Sequence, residues 1–332
     1  NAKVIASYLS LAVGKLADVG SSLCTLNYTG GRGVKPTFVR NALPMVWDFT
    51  ESNPFNPIAA SWQNQMTSIK STLQTIAVTE PASVSRGSAT QLPYADGYFD
   101  AVVSDPPYYD NMAYADWSDF FYVWLRRTLW GLTPEFDAAF ATPLGPKWDD
   151  KMQDGELVDD ASRHSGDRAA SRRVYEEGME RAFRAANHAL KADGRLVVVF
   201  AHKDPDAWES LLKGLLRAGF TVTASWPIRT EMGNRTRALS SAALASSVWL
   251  VCRKRPAGAP RGWDIQVLDE MRALVNQRLA DFWKSGINGP DLVWAATGPA
   301  LEAYSQYRLV SKEEGGNMDV REFLQHVRRL VV

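Results

Sequence analysis

The stretch "FDAVVSDPPYYDNMAYADWSDFFYVWL", Phe99 to Leu125, runs from a short apolar segment into two adjacent prolines and then into an aromatic-rich helical pattern. An apolar, β-branched run bounded by turn residues predicts a buried strand. The tetrapeptide "DPPY", Asp105 to Tyr108, follows directly at the carboxyl end of that strand. Open α/β sheets bind their ligands at this end of their strands. The stretch therefore predicts both a sheet and the edge at which a site would lie.

Three more segments have the same apolar character: "RLVVVFAH" (195–202), "FTVTASWPI" (220–228) and "SVWLVCRK" (247–254). Between the first two, Asp204 is a candidate helix N-cap, Pro205 suits the first helical position and Gly219 ends the helix. Ahead of residue 195, a helical pattern with Val174, Met179, Phe183, Ala186 and Leu190 on one face closes at Gly194. Alternating strands and helices predict an α/β fold with a parallel sheet whose strands are buried on both faces.

The rest of the chain divides around this core. We predict a mainly helical N-terminal segment at 1–80, a core at 81–256 interrupted by a polar insertion at 131–173, and a helical C-terminal appendage at 262–332. The Pro/Gly-rich stretch "RPAGAPRG" marks the last boundary.

Composition is that of an ordinary soluble globular protein, with 45% hydrophobic and 22% charged residues in 332. Lys plus Arg and Asp plus Glu both number 37, so any attraction to nucleic acid must come from local patches. Cys24 and Cys252 are far apart and lack a metal or redox spacing, which predicts no metal site and suits the reducing cytoplasm. No apolar run reaches the roughly 18 residues that span a bilayer, so we expect no membrane contact.

The residues of "DPPY" suit one kind of chemistry. Asp105 offers a carboxylate acceptor, Pro106 and Pro107 fix the backbone, and Tyr108 presents an aromatic face. The exocyclic amine of adenine or cytosine is a poor nucleophile because its lone pair is delocalised into the ring. The Asp105 carboxylate and the Pro106 carbonyl could accept its two hydrogens and localise that lone pair, while the base, flipped out of its duplex, stacks on Tyr108. A plain Pro-Pro turn that closes a strand is the alternative.

These residues resemble the amino-methyltransferases that use S-adenosylmethionine and carry an (Asp/Asn/Ser)-Pro-Pro-(Tyr/Phe) motif. The phrases "SDPPYYDNMAYADWSDFFYVWLRR", "LPMVWDFTESNPF" and "GPALEAYSQY" are similar to a family of large bacterial adenine-specific DNA methylases, over most of the chain. The resemblance implies a Rossmann-like methyltransferase sheet and methyl transfer from S-adenosylmethionine to an adenine amine in DNA. It further implies DNA and other proteins of a restriction-modification or phage-defence system as partners.

Within the same chemistry, a cytosine amine, RNA or a protein glutamine remain alternative targets. A non-catalytic nucleic-acid-binding or assembly module is an alternative of a different class. The resemblance also implies roles for Asp105, Pro106, Pro107 and Tyr108 as catalytic residues, with Asp105 contacting the cofactor as well.

Two further segments are candidates through the resemblance. Ser88, in "SRGSATQLPYADGYFD", stands where relatives often contact the cofactor's adenine through an acid, although a plain turn explains it equally well. The polar hairpin at 229–247 would lie beside the target base, so Arg229, Arg235 and Arg237 would neutralise phosphates, with Asn234 or Glu231 near the base edge. A solvated loop is the alternative there.

One element of the resembled family has no match. S-adenosylmethionine methyltransferases hold the cofactor at a glycine-rich turn after their first strand, where close backbone approach excludes a Cβ. The only upstream cluster, "TGGRGVKP" at 29–36, follows no apolar strand. Because the chain begins at Asn1 and not at Met, we expect a fragment whose sheet lacks its first strands.

Other conspicuous residues have structural explanations. Trp117, Phe120, Phe121 and Trp124 recur at helical spacing and predict a helix packed on the sheet. The four histidines share no metal-ligand or triad spacing, and His202 alone stands at the end of a predicted strand near the expected cleft.

Overall fold

The computed structural model describes residues 2–27, 33–39, 43, 45–56, 61–75, 82–110, 112–142, 144, 148–149, 151–202, 204–229, 246–287 and 290–331. The chain forms two compact units. The first comprises Asn1–Ser85 and Ala113–Trp148, and the second comprises Arg86–Met112 and Asp149–Val332.

The first unit is mainly helical. Its elements are α1 (Ala2–Val19), β1 (Thr25–Leu26), β2 (Val34–Lys35), α2 (Trp62–Thr75), α3 (Tyr114–Leu129) and α4 (Pro134–Phe140). Strands β1 and β2 pair antiparallel on either side of the glycine cluster, and the Asn27 N–H donates to the Gly33 carbonyl at 2.9 Å. The residues on either side of the cluster therefore pair as the arms of a small hairpin, whereas residues 28–32, with Gly30 and Gly31, lie outside the described residues.

Three half-buried aromatic side chains of α3 pack against Phe38 in this unit. The Phe38 ring lies 5.4 Å from Trp117, 5.1 Å from Phe120 and 5.7 Å from Phe121 between ring centroids. The predicted helix is confirmed. The described ring contacts are with Phe38, whereas the sequence analysis assigned this face to the sheet, because helical periodicity identifies an apolar face without identifying its partner.

The second unit contains a four-stranded sheet in the order β3-β6-β8-β7. The strands are β3 (Phe99–Ser104), β6 (Leu190–Phe200), β7 (Phe220–Arg229) and β8 (Ser246–Lys254). β3 and β6 run parallel, but β8 is antiparallel to both β6 and β7. The fold class α/β is confirmed, and the expectation of an all-parallel sheet is wrong. An apolar run predicts a strand but not its direction, and β7 and β8 pair as the two arms of a hairpin.

One face of this sheet is buried beneath helices. α5 (Arg168–Ala189) and α6 (Pro205–Arg217) pack on each other and on the sheet. α6 begins as predicted: the Asp204 side chain accepts from the Asp206 N–H, Pro205 takes the first position, and Gly219 follows the helix with φ +82°. The buried strand residues on this face are Leu196, Val198, Phe200, Val222, Val248, Leu250 and Cys252.

The junction of α5 and β6 differs from the prediction. Gly194 does not end the helix, since α5 stops at Ala189 and β6 begins at Leu190. The pairing of β3 with β6 shifts register between Phe99 and Ala101, and a Cβ on Gly194 would lie 3.1 Å from the Asp100 carbonyl oxygen. The glycine therefore permits close approach of two strands at a bulge.

The other face of the sheet is less covered. Val103 pairs with Val197 on this face and is 66% exposed, and Trp226 on β7 is 58% exposed. Among the described strands, β3 pairs only with β6, so it forms one edge of the sheet. The expectation that these strands are buried on both faces is therefore wrong for β3, none of whose six residues is buried.

The C-terminal helices belong to the same unit as the sheet. The elements here are β9 (Arg261–Trp263), α7 (Asp264–Lys284), α8 (Pro290–Ser305), β10 (Leu309–Ser311) and α9 (Val320–Val331). α8 packs on β7, where Ser305 Oγ accepts from the Val222 N–H at 2.8 Å. A Cβ on Gly298 would lie 1.8 Å from Ser225 Oγ, so glycine is required for this approach.

The polar insertion contains local structure. Besides α4 and the start of α5, it includes β4 (Trp148–Asp149), β5 (Asp154–Gly155) and a 3₁₀ turn at Ala161–His164. Arg163 pairs with Glu156 at 2.6 Å, which offsets part of the charge of this segment. Within the described ranges, no helix is long and apolar enough to cross a membrane.

Candidate active site

The Asp-Pro-Pro-Tyr turn leaves β3 at its carboxyl end. Ser104, the last residue of β3, is in register with Val198 of the parallel strand β6. The turn therefore lies beside the end of β6, where Phe200 and His202 follow. This is the edge at which the sequence analysis expected a site.

Within the turn, the two polar side chains contact each other. The Tyr108 hydroxyl donates to Oδ1 of Asp105 at 2.6 Å. The Asp105 side chain is exposed, and the Tyr108 ring packs edge-on against Phe200 with centroids 5.2 Å apart. The carboxylate is thus held in one orientation while it still faces solvent.

Tyr109 anchors the turn to the interior. It is buried, and its φ of +57° lies in the left-handed region that residues with a Cβ rarely adopt. Its carbonyl accepts from the Asp159 N–H at 3.1 Å. Burial and then a hydrogen bond to Asp159 raise the pKa of its phenol.

Tyr175, on α5, contacts the backbone of the turn through its hydroxyl. Its hydroxyl donates to the Pro107 carbonyl at 2.8 Å and accepts from the Tyr109 N–H at 3.2 Å. Its exposure is 0%. Burial raises the pKa of this phenol above its usual value.

His202 also reaches the turn. Its Nε2 lies 3.1 Å from Oδ1 of Asp110, and its Nδ1 accepts from the Asp204 N–H at 3.0 Å. The acceptor role of Nδ1 places the proton of the neutral ring on Nε2, which then donates to Asp110. In the sequence His202 was notable only for its position at the end of a strand, and the structure gives it Asp110 as a partner.

Behind the turn, α5 and α6 are joined by ion pairs. Arg172 contacts Glu176 at 3.0 Å and Asp206 at 2.9 Å, and Glu176 also accepts from Ser210 Oγ at 2.7 Å. Burial alone would raise the pKa of Glu176, but the hydrogen bonds from Ser210 and Arg172 outweigh it and hold the pKa below its usual value.

Ser88 lies in a turn that precedes β3 in the sequence. Its hydroxyl accepts from the Thr90 N–H at 3.1 Å and lies 2.9 Å from Thr90 Oγ1. The hydroxyl is therefore engaged in a local serine turn, which is the alternative that the sequence analysis weighed against cofactor contact.

The arginines of the hairpin fall mostly outside the described residues. The backbone of Arg229 ends β7 and is in register with Ser246. Arg235 and Arg237, together with Glu231 and Asn234, lie outside the residues that the structure describes. Their predicted contacts with nucleic acid remain predictions.

A concavity of about 350 Å³ lies between the loop that enters β3 and the end of α5. Arg181, Arg184 and His188 line it. Arg184 pairs with Glu180, and Arg181 donates to the Gln153 carbonyl. Glu180 therefore offsets the charge of Arg184, whereas the Gln153 carbonyl is neutral and leaves the charge of Arg181 in place.

The described residues supply more of the acceptors that the resemblance assigns to the amine than of the contacts that it assigns to the cofactor. Asp105 and the turn offer acceptors, whereas the Ser88 hydroxyl is engaged locally, and no strand in the described sheet leads into a glycine-rich turn. Within the described ranges, no group of three or more His, Cys, Asp or Glu residues could hold a metal ion.

A scan against protein-family models finds no match for this sequence, and a search of curated proteins finds none either.

Three residues that were not predicted from the sequence contact the turn or the residues after it: Tyr175, Asp159 and Asp110. Of these, Tyr175 had a signal, since it lies four residues before Met179 on the buried face of α5. The predicted face included Val174, whereas the buried residue of that turn is Tyr175.

Proposed function

We propose that this protein transfers a methyl group from S-adenosylmethionine to the exocyclic amine of adenine in DNA. The observation that carries the proposal is the exposed carboxylate of Asp105, held by the Tyr108 hydroxyl at the carboxyl end of β3. S-adenosylmethionine would supply the methyl group.

The residues of the turn have distinct roles in this proposal. The Asp105 carboxylate and the Pro106 carbonyl each accept a hydrogen bond from one N–H of the amine. This favours a pyramidal nitrogen with a localised lone pair. Pro107 restricts the backbone, and Tyr108 stacks on a base that has left its duplex. Asp105 would also contact the cofactor. The Ser88 hydroxyl oxygen would also accept a hydrogen bond from the adenine of the cofactor, with the acceptor capacity that its contacts to Thr90 leave unused.

The arrangement of the sheet supports a more specific proposal about the fold. We propose that β3, β6, β8 and β7 are half of a Rossmann-like methyltransferase sheet, whose first strands pair with the open edge of β3. The edge position of β3 and the exposed side chain of Val103 support this. A cytoplasmic location and partners in DNA modification or phage defence belong to the same proposal.

Two alternatives use the same residues. A cytosine amine, an RNA base or a protein glutamine carries a comparable planar amine that Asp105 could accept. A non-catalytic module that binds nucleic acid or assembles a complex would use the turn as a structural element. The local serine turn of Ser88 favours the module, because it leaves the cofactor with fewer contacts.

The test is the methylation state of nucleic acids in cells that express the natural gene. We expect N6-methyladenine in DNA by nucleoside mass spectrometry with the natural protein, and its loss with Asp105→Ala. Glu314→Ala, which removes another exposed acid of the same unit, should leave methylation unchanged. Methylated cytosine, RNA or glutamine in place of methyladenine would select the corresponding alternative, and no methylation would favour the module.

A further inference from the structure

The turn at Asp105 has few contacts of its own backbone, and the described one joins the Tyr109 N–H to the Pro107 carbonyl at 3.0 Å. Pro106 and Pro107 lack backbone N–H groups, so two successive residues cannot be held by their own backbone donors. At Tyr109 the backbone adopts φ +57°, which is unfavourable for a residue with a Cβ. Such a conformation persists only where surrounding contacts hold it.

The Tyr175 hydroxyl supplies contacts on both sides of Tyr108. It donates to the Pro107 carbonyl at 2.8 Å and accepts from the N–H of Tyr109 at 3.2 Å. The ring of Tyr175 also packs edge-on against that of Tyr109, with centroids 5.3 Å apart. Because Tyr175 has no exposed surface, water cannot replace its hydroxyl at the turn without repacking.

Two further contacts hold Tyr109 and Asp110, the residues that follow Tyr108. The Tyr109 carbonyl accepts from the Asp159 N–H, and Asp110 contacts His202. These contacts fix the chain beyond the turn, whereas Tyr175 alone among the described hydrogen bonds joins the residues before and after Tyr108 from outside the turn.

We propose that Tyr175 is a positioning residue, which fixes the turn from Pro107 to Tyr109 and thereby sets the Asp105 carboxylate and the Tyr108 ring in the arrangement that receives a planar amine. This inference rests on the proposed function. Tyr175 itself does not touch the amine. It acts through the backbone of the turn.

The test compares Tyr175→Phe with Tyr304→Phe in the 332-residue chain. Tyr304 is a matched control, since it is also buried and its hydroxyl donates to a backbone carbonyl, that of Met318, at 2.9 Å. Two quantities are measured for each protein: hydrogen exchange of the Tyr109 amide by NMR, and binding of a single-stranded oligonucleotide that contains the fluorescent adenine analogue 2-aminopurine.

We expect Tyr175→Phe to accelerate exchange at Tyr109 and to weaken 2-aminopurine binding by about fivefold to tenfold, the effect of one lost hydrogen bond of about 1 kcal/mol. Tyr304→Phe should change neither. Faster exchange with unchanged binding would reduce Tyr175 to a structural role and overturn the proposal, and so would unchanged exchange.

The two proposals fail differently in this experiment. If the natural chain binds 2-aminopurine no better than an abasic oligonucleotide, the proposed function is contradicted and the positioning role with it. If the natural chain binds and Tyr175→Phe binds equally well, only the positioning role is contradicted.

Discussion

The hydroxyl of Tyr108 lies 2.6 Å from Oδ1 of Asp105, so the first and last residues of the Asp-Pro-Pro-Tyr turn are joined by a charge-assisted hydrogen bond. The motif by itself indicated an aromatic face at Tyr108 and an acceptor at Asp105. The structure adds that the tyrosine hydroxyl orients the carboxylate. Tyr108 therefore has two separable contributions, one from its ring and one from its hydroxyl.

The two contributions of Tyr108 predict a graded effect. Tyr108→Ala removes ring and hydroxyl and should weaken binding of a flipped base by about 1 to 3 kcal/mol, the usual contribution of one base–aromatic stack. Tyr108→Phe keeps the ring and loses only the hydrogen bond, so its cost should stay near 1 kcal/mol or below. Titration of a 2-aminopurine oligonucleotide measures both. Equal losses for Phe and Ala would show that the hydroxyl dominates.

The arginines of the hairpin predict a change in salt dependence. Replacing Arg229, Arg235 and Arg237 by Ala should weaken binding to unrelated DNA sequences, and each lost phosphate contact should flatten the log–log salt slope by about 0.9. Fluorescence anisotropy over a range of salt concentrations gives the slope.

The matched control replaces three arginines on helices of the same unit, Arg184, Arg217 and Arg272, whose side chains are more than half exposed. That triple variant should keep the slope of the natural chain. An identical slope for both triple variants would assign the hairpin to solvent.

The cofactor end of the site predicts weak binding of the methyl donor. The 332-residue chain alone should bind S-adenosylmethionine weakly or not at all, because Ser88 is engaged locally and no described strand leads into a glycine-rich turn. Adding a segment that supplies such a strand and turn should restore binding. Calorimetry decides the matter: tight stoichiometric binding by this chain would reveal a cofactor site elsewhere, with Gly30, Gly31 and Gly33 as the first residues to replace.

The ion pairs behind the turn predict a pH-dependent stability. Hydrogen bonds hold the pKa of Glu176 below its usual value, so the unfolded chain binds a proton more readily than the folded one. The stabilisation is fully present above the unfolded pKa of about 4.3 and is lost as the pH falls through the lower folded value. Urea unfolding of the natural chain and Glu176→Gln should differ most near neutral pH and converge in acid. A constant difference would contradict this assignment.

Local signals in the sequence predicted much of the second unit. Strand β7 begins at Phe220 as expected, β3 spans the predicted residues, and α6 has its Asp204 cap and its terminal glycine. These features depend on propensity, periodicity and capping within a few residues of chain. Gly194 was misjudged because its role depends on Asp100 of the neighbouring strand, which no local pattern contains.

The site was predictable to the same degree. Asp105 and Tyr108 follow a strand, so their position could be read from their neighbours in sequence. Tyr175 contacts the turn across 66 residues and Asp110 meets His202 across 92, and such contacts arise only when α5 and β6 pack beside β3. Periodicity identified the buried face of α5 but not the polar contact made from it.

The edge position of β3 affects how the purified protein behaves in binding and unfolding measurements. Ala101 and Val103 are exposed on a strand whose outer row of N–H and C=O groups has no partner among the described strands. Such an edge can pair with the same edge of another molecule, so raising the protein concentration favours self-association. Titrations at low micromolar concentration should report the single chain, whereas NMR and calorimetry require sedimentation analysis at the working concentration to establish which species is being observed.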